Sequence, residues 1–204
     1  MLDRWTSCWV QSPLKKTAHI IAPYCTANQV TVVGFLLGML ALPLLAYEQY
    51  WGALVFIILN RCLDGLDGAL ARLSCQTDSG SFLDITLDFI FYAGVVFGFA
   101  LARPDDNALY ASLLLFSFMG TGASFLAFAV LAKKYQLTNP HFPHKSLFYL
   151  NGLTEGTETI LFFVIFCMLP KYFAMLASIF AVLCLLTAVN RVVVGYLTLK
   201  RCEQ

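Results

Sequence analysis

Long apolar runs separated by short polar breaks make up most of this chain. A run of about 20 apolar residues is long enough to cross the hydrocarbon core of a bilayer as a helix. Six such runs predict transmembrane helices over about 28–49, 51–73, 80–102, 107–132, 149–169 and 172–199. The pattern therefore predicts an all-α integral membrane bundle of six transmembrane helices, with residues 1–204 forming a single domain.

The segment before the first run mixes bulky apolar and basic side chains. Trp5 and Trp9 alternate there with basic residues such as Lys15 and Lys16. Tryptophan at headgroup depth and lysine beside anionic lipid are typical of a helix that lies in the membrane interface. A short interfacial helix is therefore predicted over 2–20, and a disordered tail is the alternative.

The composition agrees with a membrane protein. The 204 residues are 59% hydrophobic and 12% charged, and the mean hydropathy is +0.74. This balance is far more apolar than that of a soluble domain. The formal net charge of +1 gives no indication of nucleic-acid binding, and no nucleic-acid partner is expected. The seven cysteines form no C-x-x-C pair and are interpreted as small apolar side chains.

The basic residues indicate how the chain is oriented in the membrane. If the N-terminus is cytoplasmic, all of the 13 lysines and arginines except Arg103 and Lys171 fall on or toward the cytoplasmic side. Basic residues are enriched in cytoplasmic loops of membrane proteins. We therefore expect both termini to be cytoplasmic, in what we interpret as a bacterial inner membrane.

Four aspartates interrupt the second and third apolar runs. Asp64 and Asp67 lie near the end of the second run, and Asp84 and Asp88 lie near the start of the third. Each pair has helical spacing, and the short turn 73–79 makes the two helices neighbours. Carboxylates in a bilayer are costly, and four together cannot all stay ionised without a cation. Their oxygens suit Mg²⁺ or Mn²⁺, so a divalent metal site is predicted at the cytoplasmic surface.

Small residues and an arginine accompany the aspartates. Gly68 and Ala71 share the face of Asp64 and Asp67 and leave room for a flat base or a diphosphate. Arg72 can donate two hydrogen bonds to a phosphate. Two divalent metals can clamp a bridging phosphate during in-line displacement. The combination indicates a nucleotide substrate that carries a diphosphate and binds at the membrane surface.

These positions resemble the signature of the CDP-alcohol phosphotransferase family, D-x-x-D-G-x-x-A-R, about eight residues, then G-x-x-x-D-x-x-x-D. All eight fixed positions are present, namely Asp64, Asp67, Gly68, Ala71, Arg72, Gly80, Asp84 and Asp88. The six-span layout is similar to that of family members along nearly the whole chain. One departure is the spacer 73–79, whose seven residues are one fewer than usual. The shorter spacer is expected to shift how the two helices meet or to mark a subgroup.

The resemblance implies a reaction and a role for each aspartate. Asp64, Asp67 and Asp84 would coordinate two divalent metals, Mg²⁺ or Mn²⁺, and Asp88, also near a metal, would be the general base. The base would take the proton of an acceptor hydroxyl, whose oxygen attacks the β-phosphorus of a CDP-alcohol and releases CMP. The short chain is more similar to members that use CDP-diacylglycerol and a small polar acceptor than to those with a lipid acceptor. The resemblance also implies a homodimer and contact with membrane lipid.

The resemblance also assigns residues to the nucleotide. Gly68 and Ala71 would border the cytidine, Arg72 would contact the diphosphate, and Asn28 and Thr31 would help to hold the nucleotide. The segment 26–31 resembles a family sequence T-P-N-x-x-T at the start of the first span, with Ala27 in place of the proline. Helix capping by Thr26 or Asn28 is an equally open interpretation of this segment.

Charged residues on the last three spans are candidates for binding the acceptor. These candidates are Arg191, Lys133 and Lys134 for a phosphate, and Glu155 and Glu158 for hydroxyls or an amine. Arg191 lies about nine residues before Lys200 and therefore partly within the membrane. An Arg191–Glu158 ion pair that holds two helices together is the structural alternative.

Two other functions would also account for intramembrane carboxylates. A divalent-cation transporter would use four aspartates, but it does not require Gly68, Ala71 and Arg72 in register with them. A carrier site is also expected near the midplane of the membrane, whereas these aspartates lie toward one membrane face. A catalytically silent relative would only assemble with other membrane proteins. The intact aspartates favour an enzyme over this last possibility.

Overall fold

The computed structural model describes residues 14, 16–74, 76–135 and 154–202, and every regular element among them is helical. The helices are α1 (Ala27–Met39), α2 (Ala41–Ala46), α3 (Tyr50–Leu73), α4 (Asp78–Ala102), α5 (Pro104–Lys134), α6 (Gly156–Met168) and α7 (Phe173–Cys202), and a 3₁₀ turn over Pro170–Tyr172 precedes α7. The predicted all-α class is confirmed. Most of the predicted interfacial helix lies outside the described residues, although residues 16–21 are helical.

Four helical stretches are long and apolar enough to cross a membrane, namely Ala27–Ala46, Asp78–Ala102, Pro104–Lys134 and Pro170–Cys202. Helix α3 has 24 residues and is therefore about 36 Å long, but its charged residues lower its hydropathy. Helix α6 has 13 residues, and the first residues of the predicted fifth span are outside the described part of the chain. The count of six spans therefore stays a prediction.

A proline divides the first predicted span into two helices. Pro43 lacks the N–H that would bond to the carbonyl of Met39, and its ring clashes with that carbonyl in a continuous helix. Accordingly, α1 ends at Met39 and α2 begins at Ala41. The apolar run predicted the span, but the local break follows from the backbone chemistry of one residue.

An ion pair joins two turns at the end of the bundle opposite the aspartates. Arg103 Nη2 donates to Glu48 Oε2 at 2.8 Å, and Glu48 has a φ of 56° in the turn before α3. The hydrogen bond from Arg103 lowers the pKa of Glu48. Because both residues lie far along the helices from the four aspartates, they provide positions for control substitutions.

Aromatic side chains pack the later helices together. The rings of Phe99 on α4 and Phe173 on α7 stack with centroids 4.7 Å apart, and those of Phe162 on α6 and Phe180 on α7 stack at 4.2 Å. Stacked pairs of this kind stabilise a core by about 0.5–1.5 kcal/mol beyond the area they bury. These contacts pack α4, α6 and α7 together, and the three helices line a cavity that is described below.

Glycines allow α1 to approach α3 closely. A Cβ on Gly34 would lie 3.0 Å from Leu63 Cβ, and a Cβ on Gly38 would lie 2.9 Å from Asn60 Nδ2. Small residues four apart permit such close helix contacts in membranes. This G-x-x-x-G pair is used within the chain, and it brings the start of α1 to the polar end of α3.

Candidate active site at the facing ends of two helices

The two halves of the aspartate motif are positioned by the short connection between α3 and α4. The hydroxyl of Thr77 accepts a hydrogen bond from Gly80 N–H at 3.1 Å and caps α4. A Cβ on Gly80 would lie 2.9 Å from Asn28 Oδ1, so the glycine leaves space for the start of α1. Three helix ends therefore meet at the motif.

The structure brings the four aspartates together. Carboxylate oxygens of Asp64, Asp84 and Asp88 lie within 4.8 Å of one another, and Asp67 lines the same small cavity. Asp67 is 5% exposed, and its Oδ2 has no hydrogen-bond partner in the part of the chain that the structure describes. A buried carboxylate oxygen without a donor is unfavourable, and a hard cation would satisfy it. This ligand set fits a divalent metal.

An arginine and a tyrosine that the sequence pattern did not single out also contact the aspartates. Arg61 forms ion pairs with Asp64 on its own helix and with Asp88 on α4, where Nη1 and Oδ2 are 3.7 Å apart. Arg61 Nη1 donates to the hydroxyl of Tyr92 at 2.7 Å, and this hydroxyl donates to Asp88 Oδ2 at 3.1 Å. Both residues lie one helical turn from an aspartate, so helical spacing was the signal that could have identified them.

Asp88 also lines a second and larger cavity of about 200 Å³ between α4, α5, α6 and α7. The polar lining of this cavity includes Tyr92, Thr121, Glu155 and Arg191. A concave space with a few converging polar groups is typical of a small-molecule site. Asp88 therefore belongs to the acidic cluster and also borders a space for a small polar molecule.

Arg191 connects α7 to α5 at this larger cavity. Its side chain is 7% exposed, and its Nη1 donates to the Thr121 carbonyl at 3.3 Å. Its guanidinium carbon lies 5.5 Å from the centroid of the Phe125 ring. The planar group of an arginine suits this combination of stacking and hydrogen bonding. The structure therefore places Arg191 in the lining of the larger cavity.

Glu155 and Glu158 have different surroundings at the start of α6. Glu155 lines the larger cavity, whereas Glu158 Oε2 accepts a hydrogen bond from Glu155 N–H at 3.1 Å in a capping box. Glu158 is outside the described lining of the cavity. Its local contact is thus a helix cap. The Arg191–Glu158 ion pair stays a prediction.

Lys133 and Lys134 lie in the exposed last turn of α5. The Lys134 ammonium is 5.7 Å from the centroid of the Tyr135 ring. Neither lysine belongs to the lining of the larger cavity as far as the structure describes it. Their contact with an acceptor phosphate therefore stays a prediction without support from the cavity.

The residues predicted to hold a nucleotide lie on α1 and near the end of α3. A Cβ on Gly68 would lie 3.4 Å from Arg72 Nη1, so the Arg72 side chain extends along the glycine. Ala71 is half-buried on the same helix end. Thr31 lines the acidic cavity together with Asp67. Of these four residues, Thr31 belongs to the lining of the acidic cavity, whereas Gly68, Ala71 and Arg72 lie on the end of α3 that carries Asp67.

The start of α1 distinguishes between the two interpretations of Thr26 and Asn28. Thr26 is the N-cap, because its hydroxyl accepts from Gln29 N–H at 3.3 Å and Gln29 Oε1 accepts from Thr26 N–H at 3.0 Å. Asn28 lies inside the helix, with its amide oxygen beside Gly80. Capping thus explains Thr26, and Asn28 lies at the motif.

Comparisons with known proteins give the following matches. Residues 24–193 match the family model of CDP-alcohol phosphatidyltransferases. Inner membrane protein YnjF of Escherichia coli K12 is 55% identical over 205 residues, with 100% of both chains covered. Archaetidylinositol phosphate synthase of Pyrococcus horikoshii is 38% identical over 98 residues, which are 45% of this chain and 50% of that protein.

One solved structure extends the comparison to the fold. The crystal structure of Mycobacterium tuberculosis phosphatidylinositol phosphate synthase (PgsA1) with CDP-DAG bound has a TM-score of 0.66 to this chain. The identity is 18%, and the match covers 90% of this chain and 93% of that one. At this identity the likeness shows a shared fold.

Proposed function

Since the chain belongs to the CDP-alcohol phosphatidyltransferase family, we propose that it transfers a phosphatidyl group from CDP-diacylglycerol to a hydroxyl of a small polar acceptor. Family membership makes it a CDP-alcohol phosphotransferase of the membrane. The observation that carries the finer proposal is the position of Asp88, which lines both the acidic cavity and the larger cavity. The structural neighbour with CDP-DAG bound supports the choice of donor.

Asp64, Asp67, Asp84 and Asp88 are proposed to hold two divalent metals, Mg²⁺ or Mn²⁺. The buried, unpartnered Oδ2 of Asp67 and the converging oxygens of the other three support this assignment. When bound, the metals would supply charge neutralisation for the diphosphate and for the leaving CMP.

Asp88 is proposed to act as the general base. One of its oxygens would accept the proton of the acceptor hydroxyl, as the acceptor oxygen forms a bond to the β-phosphorus of the donor. The bond from this phosphorus to the bridging oxygen breaks, and that oxygen leaves with CMP. Tyr92 donates to Asp88 Oδ2 and would keep the carboxylate oriented toward the larger cavity.

The donor nucleotide is proposed to lie at the ends of α1 and α3. Arg72 would contact its diphosphate, and Gly68 and Ala71 would leave room for the cytidine. Asn28 and Thr31 would complete the binding surface from α1. The proximity of Asn28 to Gly80, and of Thr31 to the acidic cavity, supports this placement.

The acceptor is proposed to occupy the larger cavity. Arg191 and Glu155 line it from α7 and from the start of α6, and Asp88 lines it from α4. Arg191 would bind an anionic group of the acceptor, and Glu155 would bind a hydroxyl or an amine. A hydroxyl of a molecule held between these groups would lie within reach of Asp88.

Replacing Arg191 with lysine is expected to raise the KM for the acceptor by about tenfold or more, while the KM for the donor stays unchanged. A lysine keeps the charge, but its ammonium has neither a planar face to stack on Phe125 nor the fixed fork of N–H groups for bidentate hydrogen bonds. Steady-state kinetics on the folded variant measure both constants. Arg103→Lys, at the opposite end of the bundle, is the matched control and should leave both unchanged. An unchanged acceptor KM in Arg191→Lys would refute the binding role.

Replacing Tyr92 with phenylalanine is expected to lower kcat by about tenfold or more with little change in either KM, because one hydrogen bond to a carboxylate is lost. Tyr50→Phe is the matched control, since the Tyr50 hydroxyl lies 3.4 Å from Glu48 Oε2 away from the aspartates. An equal fall in kcat for both variants would show that Tyr92 does not act through Asp88.

The active site and both termini are proposed to face the cytoplasm, and a homodimer is the proposed assembly. The distribution of basic residues supports the orientation, and the similarity to an inner membrane protein supports the membrane.

The experiment that tests the proposed function measures CMP release from CDP-diacylglycerol by the purified protein with Mg²⁺ or Mn²⁺. The acceptor panel contains glycerol phosphate, inositol, inositol phosphate and serine. Release with one acceptor would support the proposal and name the product lipid. Metal-dependent CDP binding without release would contradict CDP-diacylglycerol as the donor, and absence of CDP binding would contradict the proposed site.

A further inference from the structure

Asn60 lines the acidic cavity and carries a buried oxygen without a hydrogen-bond partner among the described residues. It lies on α3 one turn before Asp64 and is 5% exposed. Its Nδ2 donates to the Gly34 carbonyl on α1 at 3.1 Å. Because a carbonyl cannot donate, this bond determines which end of the amide faces α1. The remaining atom, Oδ1, is buried and has no partner among the residues that the structure describes.

A second unpartnered oxygen lies on the same face of α3. Asn60, Asp64 and Asp67 are spaced at i, i+4 and i+7, and all three line the acidic cavity. Asn60 Oδ1 and Asp67 Oδ2 are both buried without a hydrogen-bond partner in the described chain. The cavity measures about 10 Å³, which is close to the space for one water or for one of the two proposed metal ions.

The side chain of Asn60 is held in place by its neighbours. Its amide lies where a Cβ on Gly38 would approach Nδ2 to 2.9 Å, so α1 packs directly against it. Together with the hydrogen bond to Gly34, this contact orients the free oxygen before any ligand binds. A pre-oriented neutral oxygen is suitable for coordinating a cation beside several carboxylates.

We propose that Asn60 is a further ligand residue of one of the two divalent cations, contributing its amide oxygen next to Asp64 and Asp67. The inference rests on the metal site of the proposed function. Amide oxygens are ligands of hard cations. A neutral ligand increases the number of coordinating oxygens without adding to the repulsion among four carboxylates.

Mn²⁺ binding to the purified protein, measured by electron paramagnetic resonance without substrate, tests the proposal. Asn60→Leu replaces the amide oxygen and nitrogen with methyl groups on the same branched skeleton, and its Kd for Mn²⁺ is expected to rise about tenfold or more. Asn107→Leu is the matched control, because Asn107 is 4% exposed and its Nδ2 donates to the Phe99 carbonyl at 2.9 Å. This control loses a similar buried hydrogen bond but is expected to keep its Mn²⁺ affinity.

An unchanged Mn²⁺ affinity in folded Asn60→Leu would overturn the proposal, and the oxygen would then face a buried water. Should that variant fail to fold, Asn60→Ala decides, because it removes the amide oxygen without adding bulk beside Gly38. The alanine variant is expected to bind Mn²⁺ about tenfold more weakly than the unmodified protein, and unchanged binding would overturn the proposal. If the unmodified protein itself does not bind Mn²⁺, the metal site of the proposed function fails as well, which separates the two failures.

Discussion

Asp88→Asn is expected to lower CMP release by about 10³-fold or more, because an amide cannot accept the proton of the acceptor hydroxyl. The side chain keeps its size and can still accept the hydrogen bond from Tyr92. Metal-assisted nucleotide binding is expected to remain largely intact, since Asp64, Asp67 and Asp84 are unchanged. The measurements are kcat from CMP release and the Kd of CDP from equilibrium binding in the presence of Mn²⁺.

Asp106→Asn is the control for this substitution. Asp106 lies exposed in the first turn of α5, at the opposite end of the bundle from the motif. The control loses one carboxylate in the same way but should keep full activity. Full activity in Asp88→Asn would reject the base assignment, whereas loss of both activity and nucleotide binding would assign Asp88 to binding.

Removal of divalent metal with EDTA is expected to abolish transfer, and addition of Mg²⁺ or Mn²⁺ is expected to restore it. Divalent metals contribute several kcal/mol of charge stabilisation in phosphoryl chemistry, so a fall of about 10³-fold or more follows. The assay is CMP release before EDTA, after EDTA and after each metal is returned.

The protein is expected to stay folded without metal, because Arg61 already pairs with Asp64 and Asp88 and supplies one positive charge to the cluster. An unchanged elution volume in size-exclusion chromatography after EDTA would show that activity is lost through the site and not through unfolding. Undiminished CMP release in EDTA would contradict the two-metal assignment.

The helices around the motif were predictable because the length of the apolar runs and the short polar connection between them agree there. The runs 51–73 and 80–102 correspond closely to α3 (Tyr50–Leu73) and α4 (Asp78–Ala102). Apolar length determines the spans, and the short polar connection between them leaves the two motif halves as neighbours. The convergence of the four aspartates therefore followed from spacing and connection length.

Other features depended on contacts between distant parts of the chain. Asn60 is an ordinary polar residue in the sequence, and its unpartnered oxygen arises only because Gly34 and Gly38 bring α1 onto α3. Likewise, helical spacing places Arg61 near Asp64, but the reach of Arg61 from α3 to Asp88 and Tyr92 on α4 arises only from the tertiary arrangement. No periodicity within one helix reports such a relationship.

The sequence by itself determined the all-helical membrane architecture, the family and the acidic motif, because hydropathy and helical spacing act over neighbouring residues. Only the tertiary structure decided which charged residues share a cavity. It placed Arg191, Glu155 and Asp88 in the lining of one cavity, and left Lys133, Lys134 and Glu158 outside the described lining. The physical reason is that helix packing, and not position along the chain, sets the distances between side chains on four different helices.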